Sequence, residues 1–151
     1  MTKKQFPKTI DYKGYVIPTG KTDAEIKERR NIITAFYRKW FGENAERKVK
    51  NLSLGSFILV NNFSLKETRH WAAYSFQSTM TVLCLSYVLK NAVKTNDVPI
   101  KPNAKNQSKF EKMIIMECVV PELRPHVITA KLTVGITRIR RNKIQYCLTA
   151  K

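Results

Sequence analysis

Between residues 22 and 41 apolar positions recur every three or four residues. Ile26, Ile33, Tyr37 and Trp40 form one stripe, with Ile32 and Phe36 beside it. That spacing predicts a helix with one buried side. Thr22-Asp23-Ala24-Glu25 reads as its capping box, and Gly42 as its stop. A turn at Gly55 and an apolar run, Phe57 to Val60, predict a short strand broken by Asn61-Asn62. Ser64-Leu65-Lys66-Glu67 reads as a second capping box, opening the segment that holds Arg69, His70 and Trp71. Phe76, Met80, Leu83, Cys84, Tyr87 and Val88 share a face, so a helix apolar on most sides is expected over about 77–93.

The period then changes. Residues 95–109 are polar and carry Pro99 and Pro102, which predicts a surface loop. Met113 to Val120 is a β-rich run. From Val127 to Arg138, Ile128, Ala130, Leu132, Val134 and Ile136 alternate with Thr129, Lys131, Thr133 and Thr137. Ile144, Tyr146 and Leu148 alternate with Lys143, Gln145 and Thr149, which sets Gln145 across from Lys131 and Thr133. The expected fold is α+β, with helices packed on a small antiparallel sheet that ends in a β-meander. Residues 1–20, punctuated by Pro7, Gly14, Pro18 and Gly20, are expected to form an extended or flexible arm in which Tyr15-Val16-Ile17 makes an edge strand. Residues 21–151 then form one domain.

Charge adds the first functional constraint. The 151 residues hold 28 Lys and Arg against 11 Asp and Glu, a formal net charge of +17. Residues 1–50, 51–100 and 101–151 carry net +7, +2 and +8, so the two ends supply the basic surface and the middle supplies core. A surplus of this size attracts polyanions, nucleic acid first among them. The three cysteines, Cys84, Cys118 and Cys147, form no CxxC pair. They are expected as small buried hydrophobes in a reducing cytoplasm. The first residues lack an apolar secretory core, and Met80 to Leu89 is too short to span a bilayer, so no membrane partner is expected.

The residue inventory narrows the chemistry. The two histidines, His70 and His126, have no partner at metal-ligand spacing, and no D-x-D pair occurs. GxxxxGK[ST] and GxGxxG are absent, so no cofactor is expected. Phosphodiester chemistry without metal remains open. RNA carries its own nucleophile, and a protein needs only a base, an acid and cations on the phosphate. Lys66-Glu67-Thr68-Arg69-His70 holds all three residue types. On a helix, Lys66 shares a face with both Arg69 and His70. Trp71 is a stacking candidate beside them. Lys131 and Thr133 project together from their strand as a candidate phosphate clamp. Arg138, Arg140, Arg141 and Lys143 form a basic turn suited to non-specific phosphate contact.

The runs Leu65 to His70, Ser75 to Thr79, Leu89 to Ala92, Ala130 to Gly135 and Gln145 to Ala150 resemble small domains attached to polyvalent proteins of phages and conjugative elements. Some of these domains belong to the superfamily that groups barnase, EndoU, certain colicins and RelE. The resemblance covers about residues 30–151. It implies helices on an antiparallel sheet, metal-independent RNA cleavage in active members, and a setting in a mobile element. It places His70 at a basic or histidine position, and Lys131 and Thr133 at polar sheet positions. His126 is the other histidine that can serve as a second acid–base residue.

Two readings follow. In the first, the chain is a metal-independent ribonuclease with RNA ahead of DNA as its partner. His70 is the general acid or base, and Glu67 is its partner. Lys66, Arg69 and Lys131 neutralise the phosphorane, and Thr133 donates a hydrogen bond. In the second, the same surface binds DNA or RNA, or an acidic protein, and catalyses nothing. Convergence of His70 and Lys131 on one cleft separates them.

Overall fold

The computed structural model describes residues 6–101, 107–120 and 127–151. The first two strands, β1 (Thr9–Tyr12) and β2 (Tyr15–Pro18), pair antiparallel as a hairpin. Its turn places Lys13 and Gly14 at positive φ, 50° and 85°. Ile17 is fully buried, and Ile10, Tyr12 and Tyr15 pack on the main core. The edge strand expected at Tyr15-Val16-Ile17 is therefore present. From residue 6 on, the expected arm is a folded hairpin, because Ile17 supplies an apolar anchor.

Helix α1 (Asp23–Glu43) starts as the sequence predicts. Thr22 accepts from the Glu25 amide at 3.2 Å and donates its hydroxyl to the Glu25 carboxylate at 2.8 Å. Ile32, Ile33, Tyr37 and Trp40 are buried. Gly42 does not stop the helix. Asn44 does, closing it with its backbone and side-chain N–H groups on the Trp40 carbonyl at 2.8 and 2.9 Å.

Strands β3 (Lys48–Asn51) and β4 (Ser56–Leu59) form a second hairpin. Helix α2 (Asn62–Ala72) then begins one turn earlier than the Ser64–Glu67 box predicts. Asn61 is the cap and Ser64 its reciprocal partner. Asn is at least as good a cap as Ser, and this phase sets Ser64, Thr68 and Ala72 on the buried side. The long helix expected over 77–93 is two helices, α3 (Phe76–Val82) and α4 (Leu85–Asn91). The Thr79 and Thr81 hydroxyls bond back to the carbonyls of Ser75 and Gln77. The Leu83 amide is shared between Thr79 and Met80, and Cys84 reaches only to Thr81. Such tightened, back-bonded turns break a helix.

Strand β5 (Val93–Val98) occupies the first part of the expected surface loop, and residues 102–106 of that loop lie outside the described residues. Strands β6 (Phe110–Val120), β7 (Ile128–Thr137) and β8 (Lys143–Ala150) are the expected meander. The six-stranded sheet runs β3-β4-β8-β7-β6-β5. It is mixed rather than antiparallel, because β4 pairs β8 in parallel through Ile58↔Lys143 and Leu59↔Ile144. Beyond those two pairs, helix side chains satisfy the free edge of β8. Ser64 donates to the Gln145 carbonyl at 2.6 Å. Thr68 and Ser78 accept from the amides of Leu148 and Ala150 at 3.3 and 2.9 Å. A strand edge that would otherwise seek a partner is thus covered.

One sheet face, with Ala130, Leu132, Val134, Ile136 and Leu148, packs on the helices in the main core. The opposite face carries a smaller cluster of Phe110, Met113 and Ile144. The Phe110 ring lies where a Cβ on Gly135 would stand, so only glycine fits there. A register shift between Thr133 and Val134 corrects the expected alternation. Gln145 faces Val134 and is fully buried, where its amide donates to Tyr37 at 2.8 Å and Thr68 at 3.1 Å. No helix among the described residues is long and apolar enough to cross a membrane.

Candidate nucleic-acid interface

An open groove of about 580 Å³ runs between α1 and α2. Helix α1 contributes Lys27, Arg30, Asn31 and Thr34, a polar stripe at i, i+3, i+4 and i+7. Helix α2 contributes Lys66, Glu67, Arg69 and His70. Both stripes are the outward sides of helices whose other sides are fixed in the interior. Ile33, Tyr37 and Trp40 anchor α1, and Ser64, Thr68 and Ala72 anchor α2.

Contacts across the groove are few and weak. Arg69 donates to the Thr34 hydroxyl at 3.5 Å, and Arg30 to the His70 carbonyl at 3.4 Å. Among the described residues, none of the lysines or arginines of the groove is held in an ion pair. Lys27, Arg30, Lys66 and Arg69 thus face one space with Glu67 as the single acid. Unpaired cations at this density concentrate field lines in the groove and favour a phosphate over water.

The base of α1 is set by a buried polar network. Arg29, fully buried, donates to the carbonyls of Pro18, Gly20 and Ala73, each at 2.7 Å. The arginine therefore ties together the first hairpin, α1 and the end of α2. Glu25 accepts from Gly20 N–H at 2.7 Å. Its carboxyl is held below the usual carboxylate value, first by the Thr22 hydroxyl, then by the Gly20 and Thr22 amides and the Arg29 charge.

The sequence-predicted residues separate into three places. His70, Glu67, Lys66 and Arg69 share the groove. Trp71 stands at its end, half exposed, with its ring edge-to-face on His70 at 4.7 Å. Lys131 and Thr133 are not part of the groove. They lie on β7, on the face away from the main core, Lys131 opposite Glu117 and Thr149 and Thr133 opposite Ile115 and Cys147. Glu67 is the residue that relates the two regions. The Cys147 thiol is pushed up to about 12, first by burial and then by the Glu67 carboxylate, while the Lys131 charge pulls it the other way.

The third place is the β7–β8 turn. Arg138 donates to the Ser108 carbonyl at 3.1 Å, and Arg141 pairs with Glu111. Arg140 and Arg141 take up positive φ, 67° and 51°. Lys143 is half-buried in the β8 ladder, opposite Ile136 and Ile58. His126 lies outside the described residues. All three cysteines are free thiols. Cys84 is buried, whereas Cys118 and Cys147 are only partly so.

The α1 contribution escaped the sequence reading. Its signal was present as the polar stripe flanking Ile33, Tyr37 and Trp40, but a polar helix face is ordinarily just solvated. Among the described residues, no three His, Cys, Asp or Glu side chains gather where they could hold a metal ion. Comparison with protein-family models, with curated proteins and with solved structures finds no match to this chain in any of the three.

Proposed function

We propose that this protein binds nucleic acid by gripping the phosphate backbone in the α1–α2 groove. The observation that carries the reading is the convergence of Lys27, Arg30, Lys66 and Arg69 on one open space with a single acid among them. The net charge of +17 supplies long-range attraction to the same partner. The test is binding to a labelled oligonucleotide across a salt series. The logarithm of affinity should fall linearly with the logarithm of salt, and Lys66→Ala with Arg69→Ala should reduce that slope by about 1 to 2. A salt-independent affinity, or tight capture of an acidic protein with none for nucleic acid at physiological salt, would refute the reading.

A second reading is favoured by one feature, the presence of His70 and Glu67 among those cations. If RNA lies in the groove, Glu67 can accept the 2′-OH proton while that oxygen attacks the adjacent phosphorus. His70, protonated, then gives its proton to the departing 5′-oxygen. The products are a 2′,3′-cyclic phosphate and a free 5′-hydroxyl. Lys66 and Arg69 neutralise the phosphorane oxygens. Lys131 and Thr133, expected from the sequence to neutralise the phosphorane and to donate a hydrogen bond to it, do not line the groove, so that stabilisation falls to Lys66 and Arg69 alone. Binding is therefore the leading reading. Labelled RNA incubated in EDTA decides between the two: cleavage that disappears in His70→Ala with binding retained means an enzyme, and intact RNA with a salt-dependent shift means a binder. The setting in a mobile genetic element rests on the sequence resemblance alone.

A further inference from the structure

At the end of the groove stands a pad of exposed rings. Trp71 is 54% and Tyr74 47% exposed, large values for residues that usually bury their rings. Their centroids are 6.4 Å apart. The pad is continuous with the groove through two residues. His70 lines the groove and sets its ring edge-on to both Trp71, at 4.7 Å and 86°, and Tyr74, at 6.0 Å and 88°. Arg30 lines the groove and holds its guanidinium 5.3 Å from the Tyr74 centroid. Cations that fit a phosphate chain thus lead directly to flat apolar surfaces that fit base faces.

We infer that the groove selects single-stranded nucleic acid, with the phosphates between α1 and α2 and an unpaired base stacked on Trp71. The inference rests on the binding reading above and specifies the strand state of the ligand. A duplex hides the faces of its bases in its own stack, so it can meet the cations but not the rings. An unpaired strand meets both. Stacking is tolerant of base identity because every base has a π-face, so the shared chemistry is an unpaired nucleotide, in RNA or DNA.

The chain has two tryptophans, which makes the test direct. Trp40 is 4% exposed, and its indole N–H is bonded to Ser86 at 2.8 Å, so a bound base cannot reach it. Fluorescence quenching therefore reports Trp71. The full chain is titrated with single strands of about ten nucleotides, one RNA and one DNA, with an abasic phosphodiester of the same length, and with a duplex. Both single strands should quench and should bind about ten-fold tighter than the abasic chain or the duplex. Fluorescence anisotropy of end-labelled strands, which needs no tryptophan, reads the variants: Trp71→Ala should lose that margin with an unchanged salt slope, and Trp71→Phe should keep most of it. Trp71 is exposed, so neither variant threatens the fold. Equal affinity for single strand, abasic chain and duplex, or no loss in Trp71→Ala, overturns the inference while leaving backbone binding in place. If no probe binds at low salt, the groove reading itself fails.

Discussion

The α1–α2 groove and the β7–β8 turn are both dense in cations, yet the protein uses their charge differently. In the groove, Lys27, Arg30, Lys66 and Arg69 project from two helices whose inner sides are fixed by buried partners, and no described acid pairs with them. In the turn, Arg141 is neutralised by Glu111, Arg138 bonds the Ser108 carbonyl, and Lys143 lies within the ladder. Arg138, Arg141 and Lys143 are thus engaged by the turn and its ladder, with Arg140 the exposed exception, whereas the groove cations make no ion pair among the described residues. Under the proposed function, position and support, more than number, distinguish a binding surface from a charged one.

The largest contrast should come from loosening the two supports. Thr68→Val orphans the Leu148 amide and one donor of buried Gln145. It should cost about 2 kcal/mol of stability and weaken oligonucleotide binding, because α2 loses its seat on β8. Thr137→Val removes the acceptor for the exposed Asn142 amide in the turn. It should cost at most about 1 kcal/mol and leave binding unchanged. Denaturant melts and binding isotherms on both variants check this. A binding loss in the turn variant would erase the contrast.

Acids give a smaller effect. Among the described residues Glu67 is the only acid lining the groove, so Glu67→Gln should tighten oligonucleotide binding by about two- to three-fold, a fraction of a kcal/mol typical of a charge near the surface. Glu111→Gln, which frees Arg141 in the turn, should change affinity less. An isotherm series at fixed salt resolves the two.

The support beneath α1 has a pH signature. The Glu25 carboxyl is held below its ordinary value of 4.5 in the folded chain, so the unfolded chain binds more protons there. Its contribution to stability is present above 4.5 and is lost as pH falls through the lower folded value. Melting temperature should drop with acid, and Glu25→Gln should flatten that drop. The smallest signal is chemical. Cys147 and Cys118, with thiols pushed up to about 12 and about 11, should alkylate slowly at neutral pH compared with an unperturbed thiol.

Much of the architecture was legible from periodicity. The alternation in β7 and the stripe on α1 both point to the residues that are buried. The sequence was silent where polar side chains act in the interior. Glu25 was legible as the capping partner of Thr22 but not as a buried group, and Arg29 carried no signal at all, yet both are buried, because three backbone carbonyls and the Thr22 hydroxyl await them. Gln145 was expected across from Lys131 and Thr133, and one bulge set it opposite Val134 and turned it inward. The parallel contact of β4 with β8 joins segments far apart in the chain, which no local pattern reveals. For the site, Lys66, Glu67, Arg69 and His70 were legible as a cluster because one helix carries them. Their partners on α1 were not, since the groove exists only once two helices pack.

The central claim is that affinity depends on where the cations stand. Two triple variants test it most directly: Lys27→Ala with Lys66→Ala and Arg69→Ala in the groove, and Arg138→Ala with Arg140→Ala and Lys143→Ala at the turn. Each removes three positive charges, so the two proteins have equal net charge. Affinity for one single-stranded oligonucleotide is measured across a salt series. The account predicts a salt slope shallower by about 2 and a large affinity loss in the groove variant, with the turn variant close to the parent chain. Equal losses in both would show that total charge governs binding, and would contradict the account.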